Sequence, residues 1–225
     1  MTPADITIVI PTLNEETSLA RSVRSALCAG ATDIIVSDGG SHDRTFEVAA
    51  ESGASKVVRS LPGRGIQMNS GAQLAERDFI LFLHADNELA AGALEQICDH
   101  EDASWGAFRQ HIDSHRQMYR LIEWGNAWRV QWRKMPFGDQ AIFVRSSLFR
   151  KLGGFAEIPL MEDVELSQRL RKLTKPVLLN GPITIDARRW EKQGILRQTL
   201  RNWSIQFSYL LGVSPERLAR KYYGS

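Results

Sequence analysis

The sequence predicts an α/β protein built on a mostly parallel, doubly wound sheet, and three features point there. Ile6–Ile10 is an apolar run that stops abruptly at Pro11, Thr12 and Asn14, where Glu15 and Glu16 open a helical pattern. About one βα unit later, Ile34-Ile35-Val36 runs into Ser37-Asp38-Gly39-Gly40-Ser41. The same strand–helix alternation continues to Asp86. Buried strands that each finish in polar and glycine residues describe the carboxyl edge of a parallel sheet, where open α/β folds bind their ligands. Together these endings suggest a nucleotide-binding enzyme.

Taken in order, Ile6–Ile10 is the first strand, and Glu15–Ala29 an amphipathic helix with Leu19, Val23, Ala26 and Leu27 inward, ended by Gly30. Asp33–Ser37 is the second strand, and Ser41 or Asp43 caps a helix reaching Ser52. Lys56–Arg59, Ile66–Glu76 and Asp78–Leu83 continue as strand, helix and strand, the last ending in His84-Ala85-Asp86. Regular alternation of this kind makes a doubly wound sheet. Beyond it the pattern predicts a helix from Ala90 to His100, a mixed or edge strand over Ser104–Ile112 and a long helix from Ser114 to Arg133. A turn at 137–140, a strand over Ala141–Val144 and helices over Ser146–Leu152 and Met161–Leu173 follow. Strands at Pro176–Leu179 and Ile183–Asp186 and helices at Gly194–Leu211 and Pro215–Tyr222 complete the chain. The expected organisation is one domain over 1–190, with a nucleotide-binding half (1–86) and an acceptor-side half (87–190), extended by a helical 191–225.

At 225 residues the chain supports one sizeable core. A net charge of +2 argues against a polyanion binder, and no nucleic-acid partner is expected. The charge is uneven: residues 188–225 carry eight Lys/Arg against two Asp/Glu, while the rest of the chain is mildly acidic. Such a tail is either a solvated helical face or a contact for anionic lipid, phosphate or a partner. Cys28 and Cys98 stand far apart outside any C-x-x-C pair, so two buried thiols in a reducing compartment are expected. No segment approaches the roughly 20 apolar residues of a membrane span. A cytoplasmic location follows, with peripheral contact at the inner membrane face through the basic C-terminus as an extension of it.

The polar residues at the strand ends carry the chemistry. Asp38 ends a buried strand, and Gly39 and Gly40 let the chain turn and approach a ligand; a capping Asp with turn glycines is the plainer alternative. Arg64, Gln67 and Asn69 surround a helix start after a Gly-Arg-Gly turn, a setting suited to phosphate, although the G-K-[ST] of a P-loop is missing. His84 and Asp86, at i and i+2 of an extended segment, point the same way and can hold one divalent ion; a structural His and a capping Asp is the other reading. Glu162 and Asp163 open a helix, either as caps or as a general base. Gly138-Asp139-Gln140 and Arg188-Arg189-Trp190 add polar groups in loops. Trp124, Trp128 and Trp132 recur every four residues, as a core stripe, an oligomer contact (a homodimer), an acceptor groove or a membrane-facing surface.

The ordered set P-T-L-N-E-E (11–16), V-S-D-G-G-S-H-D-R-T (36–45), G-R-G-I-Q-M-N-S-G-A (63–72), L-H-A-D (83–86), G-D-Q (138–140) and M-E-D (161–163) resembles the inverting family 2 glycosyltransferases, which share the GT-A fold. L-H-A-D, P-F-G-D-Q and R-R-W are similar to a small soluble bacterial subgroup sometimes associated with arsenosugar biosynthesis. The resemblance implies that Pro11, Thr12, Asn14 and Glu15 line a nucleoside pocket with Gly40, and that Asp38 bonds the base, uracil being the usual choice. It places Arg64 and Asn69 near the diphosphate-sugar, and Asp139, Gln140, Arg188 and Trp190 on the acceptor side. It makes Asp86 the last aspartate of the D-x-D metal motif and Asp163 the base, with Glu162 beside it. The first aspartate of that motif is His84 here, which as an imidazole favours Mn²⁺ over Mg²⁺.

The implied activity is transfer of a sugar from a nucleotide-diphosphate donor, a UDP-sugar, to an acceptor hydroxyl with inversion, assisted by Mn²⁺ or Mg²⁺. A nucleotidyltransferase is disfavoured because P-T-L-N-E-E occupies the loop where a glycine-rich, basic segment belongs. A polyprenyl-phosphate sugar transferase at the membrane surface and a non-catalytic nucleotide-sugar binder are the remaining rivals.

Overall fold

The computed structural model describes residues 1–224, apart from the side chains at positions 189, 192 and 193. Strand β1 (Ile6–Thr12) lies mid-sheet and is buried along its whole length. It pairs in parallel with β2 (Asp33–Asp38) on one side and β4 (Phe79–Phe82) on the other, while β3 (Lys56–Arg59) pairs in parallel with β2 at the edge. The other half is mixed. β7 (Phe143–Arg145) runs antiparallel to β4 and to β6 (Trp105–Asp113), β8 (Val177–Asp186) parallel to β6, and β5 (Asn87–Leu89) antiparallel on the far edge. The eight strands are ordered β3-β2-β1-β4-β7-β6-β8-β5.

Alternation along β1 feeds two cores. Ile6, Ile8 and Ile10 join one cluster with Leu19, Val23 and Ala26 of α1 (Leu19–Cys28). Val9 joins the other, with Met68 and Ala72 of α3 (Arg64–Gln73) and Leu166 and Leu170 of α7 (Glu162–Leu170). Helices thus cover both faces, as a doubly wound sheet requires. The cover is close over β1: a Cβ at Gly71 would lie 2.4 Å from Val9 Cγ1. α2 (Thr45–Glu51) and α4 (Ala93–Cys98) flank the first core, and α5 (Gln117–Arg133) and α6 (Ser146–Lys151) follow β6 and β7.

Several expectations change. α1 starts at Leu19, because residues 15–18 form a turn in which Ser18 Oγ donates to Glu15 Oε2 at 2.5 Å. Leu27 is 40% exposed and Cys28 is exposed, since the inward face of α1 is 19, 22, 23 and 26; Cys98 is half-buried. Part of the segment expected as helix from Ala90 is preceded by β5, and α4 begins only at Ala93. The two strands expected at 176–186 are one, whose register with β6 slips between Phe108 and Gln110. Residues 188–190, expected in a loop, begin α8 (Arg188–Gln193). The chain ends in α9 (Ile195–Leu210) and α10 (Pro215–Tyr223).

Candidate active site

Two loops are laced together where β1 and β2 end. Asn14, in the left-handed region at φ 55, accepts the His42 N–H on Oδ1 and donates its own N–H to Ser41 Oγ, both at 2.9 Å. The Glu15 N–H donates to Thr45 Oγ1 at 2.7 Å. Pro11 and Thr12 are buried; the Thr12 hydroxyl has no hydrogen-bond partner among the described residues, and the Thr12 carbonyl accepts from the Gly39 N–H at 2.9 Å and from Gln67 Nε2 at 2.5 Å. A Cβ on Gly39 would stand 2.8 Å from Gln67 Nε2, so the glycine leaves room for that side-chain amide. Asp38 is buried and commits its carboxylate to its own loop, accepting the Gly40 N–H at 3.2 Å, the Ser41 N–H at 3.1 Å and the Ser41 hydroxyl. With its acceptor positions so occupied, Asp38 shapes the loop in this structure.

The cleft lies beyond the ends of β3 and β4, a cavity of about 500 Å³ that brings together Arg64, His84, Asp86, Asp139, Asp163 and Trp190. Its floor is the N-terminus of α7. Met161 precedes it at φ 71, a conformation costing a non-glycine residue about 1–3 kcal/mol that persists only where the surroundings enforce it. Asp163 Oδ2 accepts the Gly138 N–H at 2.7 Å and Oδ1 the Val164 N–H at 2.8 Å, so the carboxylate is fixed in orientation. A Cβ on Gly138 would stand 2.9 Å from His84 Nε2 and 3.2 Å from Asp163 Oδ2. The glycine of G-D-Q therefore lets the loop enter the gap beside both side chains. Glu162, 1% exposed, lies behind: Oε1 pairs with Arg64 Nε, and Oε2 is buried without a hydrogen bond among the described residues.

The electrostatics follow from this crowding. Burial alone would lower the pKa of Arg64, but the Glu162 and Asp163 carboxylates outweigh it and hold the guanidinium charged. Burial raises the carboxyl pKa of Asp139, with Arg129 opposing and Asp163 reinforcing the shift. Arg129 is pushed down to about 10 by burial, against the pull of Asp139 and Asp163, and stays cationic at neutral pH. It lies 3.2 Å over the Phe137 ring centroid.

Ten expected site residues do not line this cavity: Pro11, Thr12, Asn14, Glu15, Asp38 and Gly40 stand in and around the loops that end β1 and β2, and Asn69, Gln140, Arg188 and Glu162 lie elsewhere. The Asn69 amide is used on the Phe155 backbone, donating to the carbonyl at 2.9 Å and accepting the N–H at 2.8 Å, which ties α3 to the loop before α7. Gln140 is fully buried, its Oε1 accepting from Arg129 Nη2 at 2.8 Å and its Nε2 donating to the Phe108 carbonyl at 3.3 Å. Arg188 pairs with Asp186 at 2.5 Å and does not line the cleft. Glu162 sits behind Asp163 rather than in the cavity. The tryptophans are not core: Trp124 and Trp132 are 67% and 71% exposed. Sequence reasoning missed the opposite wall, formed by Gln198, Arg201, Asn202 and Gln206 of α9 with Tyr222 and Tyr223 of α10. The one available signal was the concentration of positive charge after residue 187.

The donor set suits a phosphate-bound ion. His84 and Asp86 share the cleft, and among the described residues no group of three or more His, Cys, Asp or Glu gathers to hold an ion unaided. Mg²⁺ keeps several waters and takes its remaining ligands from one or two carboxylates and substrate phosphates. Mn²⁺ accepts oxygen ligands as well as imidazole. Two protein donors facing an open cavity fit that habit.

Comparison with known proteins agrees with this geometry. An uncharacterized glycosyltransferase of Mycobacterium bovis is 38% identical over 92 residues, 41% of each chain. A PGL/p-HBAD biosynthesis glycosyltransferase of M. bovis BCG is 30% identical over 166 residues, 66% of this chain and 62% of the relative. The chain thus spans about two fifths to three fifths of these relatives. In fold it is similar to Staphylococcus aureus TarS, also solved with UDP-GlcNAc (TM-score 0.65, 16% identity, 80% of this chain and 58% of that one). It is also similar to glucosyl-3-phosphoglycerate synthase from M. tuberculosis, solved with Mn²⁺, UDP and phosphoglyceric acid (TM-score 0.54, 19% identity, 80% and 68%). The fold is that of the GT-A glycosyltransferases. With the family profile "Glycosyl transferase family 2" matching residues 7–156, two thirds of its length, the chain belongs to that family.

Proposed function

We propose that this glycosyltransferase moves a hexosyl group from a UDP-sugar to an acceptor hydroxyl in a single displacement with inversion, and that Asp163 is the base. The observation that carries the proposal is the separation of the two adjacent carboxylates. Asp163 faces the cleft, held by two backbone N–H groups, whereas Glu162 is buried behind it against Arg64. In the proposed step the acceptor O–H proton passes to the Asp163 carboxylate as the oxygen attacks the anomeric carbon from the face opposite the nucleotide. The anomeric C–O bond breaks, and its electron pair leaves with the nucleoside diphosphate. Arg64, kept charged by its carboxylate neighbours, offsets the negative charge developing on that leaving group. Glu162 orients Arg64 and takes no proton.

UDP in both fold neighbours supports the donor, and Mn²⁺ in one supports a divalent ion. Asp86 and His84 would hold that ion, which when bound supplies further charge neutralisation at the diphosphate. Asp139 and Trp190 line the same cavity and would face the acceptor.

The test is Asp163→Asn, which keeps shape and cannot take the proton. Transfer from UDP-sugar should fall at least about a hundredfold, while UDP still raises the melting temperature as in the parent. Near-parental transfer would remove Asp163 from the reaction.

A further inference from the structure

Of the seventeen large hydrophobic side chains exposed among the described residues, ten lie on α5 and α9. On α5 the outward stripe includes Leu121, Trp124 and Trp128, and on α9 it includes Leu200, Trp203 and Phe207. The spacing of three or four residues puts each set on one helical face, but the face turned away from the protein. Between the two helices runs a groove of about 570 Å³, lined mostly by apolar side chains of both. A contiguous apolar surface of this kind marks a contact.

Charge says what the contact is. Residues 192–215 contain no Asp or Glu. The one carboxylate of α5, Glu123, is turned inward, accepting the Ile112 N–H at 2.5 Å and pairing with Arg120 at 2.9 Å. Arg133, which lines the groove, and Arg197, next to Leu196 on α9, are exposed. A second copy of the chain packed symmetrically on this face would bring arginine against arginine. An anionic bilayer offers the opposite charge to the arginines and an acyl boundary to the apolar stripes, with tryptophan well placed at the headgroup level. Among the described residues no helix is long and apolar enough to cross a membrane, so the contact would be interfacial.

We propose that the outward face of α5 and α9 docks this protein onto the surface of an anionic phospholipid bilayer. Gln206 lines both the groove and the catalytic cleft, so docking sets the cleft mouth beside the lipid headgroups. The docking itself does not depend on the transferase reading.

Vesicle flotation of the full chain, with no donor present, tests it. Wild type should float with vesicles of phosphatidylglycerol and phosphatidylcholine, and binding should fall at least about tenfold on vesicles of phosphatidylcholine alone. Trp124→Gln combined with Trp203→Gln should lose binding by a similar factor, about tenfold or more, with an unchanged melting temperature. Arg133→Gln combined with Arg197→Gln should lose the preference for the anionic vesicles. Failure of wild type to float with either vesicle overturns the proposal, and so does equal binding to both. Sedimentation showing a dimer that the tryptophan substitutions dissociate would also overturn it, because the face would then belong to a second copy.

Discussion

Glu162 and Asp163 are neighbours of one chemical type with different surroundings. A helix N-terminus turns one into the cleft and the other onto Arg64, and position rather than identity separates the proposed base from its support. Asp139 shows the same principle through its proton. Burial raises its pKa above the ordinary 3.8 despite Arg129 nearby. An acid with a raised folded-state pKa ionises first in the unfolded chain, so it draws stability away from the fold as pH climbs from 3.8 through the raised value. Asp139→Asn removes that titration. Its unfolding free energy, measured by urea at a series of pH values, should therefore fall less steeply than wild type over this window. Parallel curves for the two proteins would show that Asp139 does not titrate there.

At the level of elements, the helix α3 is held unusually close to β1. Gly71 permits this, because a methyl group there would overlap Val9. Gly71→Ala gains helix propensity of up to about 1 kcal/mol and loses to overpacking of about 1–3 kcal/mol. A net loss of stability is expected, read from the denaturation midpoint. It should be accompanied by weaker UDP binding, since Gln67 on the same helix ties together the ends of β1 and β2. A stabilised Gly71→Ala protein would mean that the sheet yields to the methyl group. The tie also explains why the glycine-rich motif at 63–72 is not a P-loop. Gly71 brings the helix down onto the sheet, and Gln67 braces the strand ends.

For the molecule as a whole, the C-terminal helices are part of the site. Ile205 of α9 and Leu218 of α10 share one core cluster with Met161 and Val164, the residues on either side of the Glu162-Asp163 pair. We therefore expect one cooperative unfolding transition for the whole chain. Ile205→Ala, at a position 2% exposed, should cost roughly 2–5 kcal/mol and shift that single transition. A separate early transition confined to the variant's C-terminus would instead make residues 191–225 an appendage.

The sequence by itself determined the parallel half of the sheet, the strand-end positions of the polar residues and the presence of most helices. It could do so because period-two and period-3.6 hydrophobic patterns are local properties of the chain. The family resemblance rested on the same segments, and Arg64, His84, Asp86, Asp139, Asp163 and Trp190 do meet in one cleft. Tertiary structure decided the rest. Asn69 and Gln140 look like ligand groups in sequence, but each meets a buried backbone group that a polar side chain must satisfy. β5 is too short to show a period, and its pairing with β8 depends on residues almost a hundred positions away. The outward apolar faces of α5 and α9 read in sequence as ordinary amphipathic helices, because periodicity reveals a stripe without telling which way it points. Only packing against β6 and the cleft decided which side of each helix turned inward, Tyr119, Ala127 and Val130 on α5 and Gln198 and Ile205 on α9, and left the tryptophans facing out.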